Sequence, residues 1–511
     1  MATDSESRTV EEAYETVLEF SKRILNLEKT DFLLRWDSDV MMPEGGTPAR
    51  ASQRSTIHAA QNRYRTDNEL GSALEVLADA NLSEEQAAVV REVRREYDVE
   101  TSVPSEVNDR ISTVMSSAHE EWKRAKDAGD WSQFAPTMSD VVDAWLDWAD
   151  SVAPDADPFE TLWAKRSGYH AQRYIELETV ETVFDDLRAG LVPLIEDIRS
   201  SDADLATDAF TARGPYDSDD QRALCEAALD AVGLDWTRAR LDTATHPFSY
   251  GTQFDVRITT RFDETTPLPG MSSVLHEFGH TAYTHGLPEE HYGTPLGEPR
   301  GLGVHESQSR FFENHVGRSE AFWEFFLPTV RDRFPRLDDV TPREAYEAVN
   351  QVSEDNTIRV EADELTYHMH IILRTEIERA VVAGDLETRD IPDVWAEKLE
   401  SYLGVRPESA ADGPLQDPHW TNQIPAFITY TLGSVLAAQI AAAMEDDLGS
   451  LDGMVREGDF DPIHEWLTEN VHRHGQRYRT DELVRRATGE NLTAEYFLEY
   501  AEEKYGDLYD L

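Results

Sequence analysis

Apolar residues recur at helical spacing along nearly the whole chain, and this period constrains the fold more than any other feature. Over residues 10–34, Ala13, Val17, Phe20, Ile24 and Leu27 fall on one stripe. Similar amphipathic patterns predict helices near 47–80, 83–100, 104–128 and 136–152, then over about 178–200 and 217–232. Turn-rich pieces punctuate them, Met42-Pro43-Glu44-Gly45-Gly46 and Ala153-Pro154-Asp155-Ala156-Asp157-Pro158. One stretch reads differently. Phe254-Asp255-Val256-Arg257-Ile258-Thr259-Thr260-Arg261-Phe262 alternates in polarity and is rich in β-branched residues, which predicts a short strand with one or two partners. The expectation is a mostly α protein with a small β-sheet beside its most unusual motif. No fixed-period repeat or low-complexity linker is visible. A single helical domain over 1–511 is therefore expected, with an N-terminal helical part over about 1–155 and a chemical core over about 240–435.

Apolar residues make up 40% of the chain, with 11 Trp, 18 Tyr and 19 Phe, enough for a large core and against wholesale disorder. The formal charge of −54 argues against nucleic-acid and anionic-membrane partners. The acids are spread along the chain, and the 47 basic residues comprise 40 Arg and 7 Lys. That pattern reads as a surface adapted to molar salt, where screening shortens to about 3 Å. The one cysteine, Cys225, excludes an internal disulfide framework and a Cys-rich zinc module. No basic-then-apolar leader is seen at the N-terminus. The longest apolar stretch, 435–444, is broken by Gln439 and far too short to span a bilayer. A soluble, cytoplasmic protein is expected.

The chemistry-bearing motif is His276-Glu277-Phe278-Gly279-His280. Imidazoles at i and i+4 share one helix face, so both can reach a Zn²⁺ ion, and Glu277 can take a proton from a metal-bound water. Met271, Val274, Leu275, Phe278 and Ala282 give the segment an apolar stripe, and Gly286 supplies a stop. A catalytic zinc site needs a third protein ligand and an open position. Glu306, in Gly303-Val304-His305-Glu306-Ser307-Gln308, is the candidate, with His305 and Glu313 as alternatives.

Exopeptidase action would require a cation for the substrate's free carboxylate, ideally an arginine. Arg359 is a candidate, on an expected helix that also carries Tyr367, His368 and His370; pairing with Glu361 or Asp363 is its plain structural alternative. His246, before Pro247, and Arg257, beside Asp255 in an expected cross-strand pair, are weaker candidates. The strand itself could align an extended peptide.

Taken in order, these residues resemble the carboxypeptidase Taq family of zinc metallocarboxypeptidases. The resemblance rests on His246-Pro247-Phe248, Asp255-Val256-Arg257-Ile258-Thr259, His276 to His280, and His305-Glu306-Ser307-Gln308. It continues through Ile358-Arg359 with Ala362-Asp363, and Gly413-Pro414-Leu415-Gln416-Asp417-Pro418-His419-Trp420, with Trp36-Asp37 and Met42-Pro43 upstream. The resemblance implies a large helical fold with a deep groove, a homodimer, and release of C-terminal residues from peptides with broad tolerance, using Zn²⁺ or Co²⁺. It makes His276, His280 and Glu306 the metal ligands and Glu277 the general base, with Arg359 and His246 gripping the terminal carboxylate. The segment carrying His419 would close the groove. After Trp420 the sequence departs from the family: Ala426 stands where a tyrosine is expected, which passes a possible oxyanion role to Tyr430. An endo- or oligopeptidase on the same fold is the enzymatic alternative, and an acidic scaffold the non-enzymatic one.

Overall fold

The computed structural model describes residues 9–165, 174–353 and 356–511. Helices dominate them, and the expected segments form with boundaries set by caps. Val10–Val40 opens on a reciprocal capping box in which the Thr9 hydroxyl accepts the Glu12 N–H and the Glu12 carboxylate accepts the Thr9 N–H. The single pattern over 47–80 is two helices, Thr47–Arg65 and Asn68–Leu77. Asp67 divides them, because its side chain accepts the Glu69 N–H and starts a new helix. No helix among the described residues is long and apolar enough to cross a membrane.

Backbone contacts group the chain into two compact units. Their boundaries cut across the expected parts, dividing 1–155 after Thr101 and 240–435 after Ala345.

The first unit comprises Met1–Thr101, Asp208–Ala345 and Ile440–Glu490. Helices Val10–Val40 and Thr47–Arg65 form a hairpin tied by Asp31 to Arg54, at 2.7 and 2.9 Å, and by Asp37 to Arg50. Ala13, Val17 and Phe20 pack with Leu70, Leu74, Val89, Val93 and Leu296 in one core. The expected strand forms as β3 (Asp255–Thr260), between β1 (Ala239–Thr243), which runs parallel to it, and β2 (Ser249–Thr252), which runs antiparallel. Gly251 lets β2 approach, since a methyl there would lie 2.6 Å from the Val256 Cα. The helix Leu268–Gly286 packs on β2 and β3 and ends where Gly286 was expected to stop it. Its start is pinned by the Thr260 hydroxyl, which donates to the Gly270 carbonyl at 3.1 Å.

The second unit comprises Ser102–Thr207, Tyr346–Gln439 and Asn491–Leu511. Its centre is the helix Thr366–Ala383, buried on most faces and packed against Ile391–Leu403. Arg359 is not on this helix. Asp363 accepts the N–H groups of Leu365 and Thr366 and caps the helix start, which leaves Arg359 in a short 3₁₀ turn, Arg359–Glu361.

Candidate metal centre

His276 and His280 project from the helix Leu268–Gly286, and Glu306 from the buried helix Leu302–Arg310 that crosses it. The helices approach closely at Gly279, which lies against the backbone of Gln308 and Ser309. One ligand atom from each of the three residues falls within 4.8 Å of the others. His276 Nε2 is 3.9 Å from Glu306 Oε1, and His280 Nε2 is 3.6 Å from Oε2. Bonds of ~2.1 Å at tetrahedral angles place donors ~3.4 Å apart, so this set fits one small divalent ion. Both imidazoles have their other nitrogen engaged. His276 Nδ1 is 2.8 Å from Glu313 Oε2, and His280 Nδ1 is 3.1 Å from the His305 carbonyl oxygen. That leaves the Nε2 atoms facing the carboxylate, as a metal-ready histidine pair requires.

Of the alternative third ligands, neither joins this group among the described residues. His305 stacks its ring on His280 at 4.3 Å, and Glu313 sits behind His276. Burial depresses the His280 imidazole well below its usual range, helped by His305 and His276. Burial also acts to lower His276, but the carboxylates of Glu306 and Glu313 outweigh it and hold that imidazole above its usual range. Glu277 is buried beside them, and desolvation pushes its carboxyl up to about 7 against the pull of His276 and a hydrogen bond from Ser249. A carboxyl poised near neutrality can both take and return a proton.

Residues 16–505 match the family model of the carboxypeptidase Taq (M32) metallopeptidases. The chain belongs to that family. It is 38% identical to thermostable carboxypeptidase 1 of Thermus thermophilus, over 98% of this chain and all of that one. Carboxypeptidase 1 of Bacillus subtilis is 31% identical over 96% of this chain and 97% of its own. Among solved structures, the M32 carboxypeptidase of Deinococcus radiodurans R1 superposes with a TM-score of 0.92 at 38% identity, covering 98% of this chain and 100% of that one. This protein is therefore a metallocarboxypeptidase, a hydrolase of peptide bonds whose family requires a metal ion.

The remaining candidates of this carboxypeptidase divide between the units. In the second unit, Arg359 pairs with neither Glu361 nor Asp363. Its Nε donates to Asp417 Oδ2 at 3.0 Å, its Nη1 to the Tyr367 hydroxyl at 3.4 Å, and its backbone N–H to Gln416 Oε1 at 2.7 Å. Among the described residues no hydrogen bond takes up Nη2, and the guanidinium lies 3.9 Å over the Phe427 ring. The same Asp417 holds His419, whose Nδ1 is 2.6 Å from Oδ1. Gln416 and Asp417, in the segment expected to close a groove, clamp Arg359. Tyr430 packs on Tyr367 and Phe427. In the first unit, His246 is an exposed turn residue. Arg257 is bound to Asp255 at 3.2 and 3.0 Å within one strand, not across strands, and stacks on Trp36 at 4.1 Å.

Ser249, Asp417's hold on Arg359, and Glu313's position behind His276 escaped the sequence reading, because each depends on tertiary placement. One signal was available for the last. In Arg310-Phe311-Phe312-Glu313-Asn314-His315-Val316-Gly317-Arg318, Glu313 lies between the apolar residues Phe312 and Val316 with an arginine at i−3 and another at i+5, so a glutamate carried inward with that stripe has cations within reach.

Proposed function

We propose that this carboxypeptidase removes residues singly from the C-terminus of peptides, with broad side-chain tolerance, using Zn²⁺ (or Co²⁺ as a substitute) held by His276, His280 and Glu306. The observation that carries this reading is the convergence of two imidazole nitrogens and one carboxylate within 4.8 Å, beside a buried glutamate. A divalent ion bound there supplies Lewis acidity to the scissile carbonyl and lowers the pKa of water at the site. Glu277, steadied by the Ser249 hydroxyl, takes a proton from the attacking water and returns it to the leaving amine. In the second unit, Arg359 has the chemistry to receive a terminal carboxylate, because Asp417 and Tyr367 fix its plane and no hydrogen bond among the described residues takes up Nη2. The reading also has the enzyme working as a homodimer in the cytoplasm of a halophilic cell; the charge of −54 supports the salt adaptation.

The test is mass-spectrometric product analysis of an unblocked decapeptide, with and without a chelator. The reading expects a ladder losing one C-terminal residue at a time, abolished by chelation and by Glu277→Gln. Internal cuts would point to an endopeptidase instead. Arg359→Ala should raise KM for free-acid peptides far more than for amidated ones, and equal losses would remove Arg359 from carboxylate capture.

A further inference from the structure

Two charged residues beside the metal centre, Arg310 and Glu313, have no part in holding the ion or moving the proton. They lie where the helix Leu302–Arg310 gives way to a π-helical turn, Phe311–Gly317. The wider turn closes with the Arg318 N–H donating to the Glu313 carbonyl, five residues back, at 3.0 Å. Single π turns are frequent at functional sites. Here the turn gathers a compact network. Glu313 Oε1 accepts from Arg318 Nη2 at 3.0 Å and from the Ser272 hydroxyl at 3.2 Å. Its Oε2 accepts from Arg310 Nη1 at 3.2 Å and lies 2.8 Å from His276 Nδ1. Arg310 then spends its Nε on Glu306 Oε1, at 3.0 Å. Burying this many charges costs desolvation that a packed apolar cluster would avoid, so fold stability alone does not account for them.

Resting on the reading that His276, His280 and Glu306 hold the ion, we propose that Glu313 and Arg310 act together as positioning residues. Glu313 accepts the Nδ1–H of His276, which fixes the tautomer with its lone pair on Nε2 and locks the ring plane. Arg310 pins one oxygen of Glu306 and leaves Oε2 as the donor. One guanidinium thereby ties the donor on one helix to the carboxylate that orients a donor on the other. His280 needs no such carboxylate, because the His305 carbonyl serves its Nδ1.

The experiment uses the full chain and reads Zn²⁺ affinity by competition with a chromophoric chelator, the absorption spectrum of the Co²⁺-loaded protein, and kcat and KM separately. Glu313→Gln should weaken Zn²⁺ binding by roughly 10–100-fold and lower kcat at saturating metal with little change in KM. Should losing the carboxylate charge opposite Arg318 prevent folding, the double variant Glu313→Gln/Arg318→Met carries the same expectation. Arg318→Met alone keeps Glu313 on His276 and should bind Zn²⁺ within about threefold of the parent. Arg310→Met should alter the Co²⁺ spectrum by freeing Glu306 Oε1. Parental affinity and spectrum in every Glu313 variant, with His276→Ala abolishing binding, would overturn the proposal and leave the metal site standing. Parental binding in His276→Ala would overturn the reading of the site itself.

Discussion

Gly279→Ala is the most informative single perturbation of the centre that touches none of its donors. A methyl at Gly279 would sit 2.5 Å from the Gln308 carbonyl carbon and 2.5 Å from the Ser309 Cα, both backbone atoms of the helix that carries Glu306. Carbon–carbon contact needs about 3.5 Å, so the two helices must part by about 1 Å. Metal–donor distances tolerate about 0.2 Å, and a 1 Å shift of Glu306 from the imidazoles exceeds that severalfold. Overpacking itself should cost about 1–3 kcal/mol, offset by up to about 1 kcal/mol of helix propensity gained. The stability loss is therefore modest, whereas Zn²⁺ affinity should fall by at least the roughly 10–100-fold seen when an orienting partner of a ligand is lost. Chelator competition and thermal unfolding of the metal-free protein separate the two effects. Gly506→Ala is the control: nothing lies within 4 Å of its added methyl, and it should gain about 0.5–1 kcal/mol with metal binding unchanged. A Gly279→Ala variant that binds Zn²⁺ as the parent does would refute the claim that this close approach sets the donor geometry.

Three further outcomes follow from the packing and the charge. Arg300 is fully buried and donates from Nη1 and Nη2 to Glu92, both at 2.9 Å; Arg300→Met should cost about 3 kcal/mol in urea unfolding, the low end because Arg91 still holds Glu92. Adding Glu92→Leu should recover most of that loss, and a single-variant cost near zero would contradict the assignment. Burial pushes the Cys225 thiol from 9.0 up to about 12, so above pH 9 the unfolded chain releases a proton that the folded one keeps. Stability contributed by this group is complete below pH 9 and falls by about 1.4 kcal/mol per pH unit above it. Cys225→Ala should flatten the alkaline decline by that slope, and parallel curves for the two proteins would refute it. Finally, with 101 acidic against 47 basic residues, the melting temperature should rise steeply between dilute buffer and molar salt, and a flat profile would remove salt adaptation as the reason for the charge.

Helical period, the short strand and the His276–His280 pair were legible in the sequence because each is local: one face, one turn, one alternation. Spacing made Glu306 the candidate with His305 and Glu313 as alternatives, and the family resemblance favoured it. What no spacing encodes is the close helix approach at Gly279 that accompanies its carboxylate lying within 4.8 Å of the paired imidazoles. Arg359 was found as a residue, but its setting was misread. The helix expected to carry it begins only at Thr366, since the Asp363 cap ends the preceding turn, and its counter-ion Asp417 is 58 residues away in sequence. The same limit hid the Glu313 network, which needs a π turn to bring Arg310, Glu313 and Arg318 onto one side. The division into two units was also invisible, because each is assembled from three separated stretches of chain.

Metal stoichiometry by elemental analysis of the parent and of Glu306→Ala, after dialysis against buffered Zn²⁺, tests the central claim most directly. The account predicts one ion per parent chain and a loss of that ion in the variant. A parent chain that retains no metal, or a Glu306→Ala chain that still holds one ion with undiminished affinity, would contradict it.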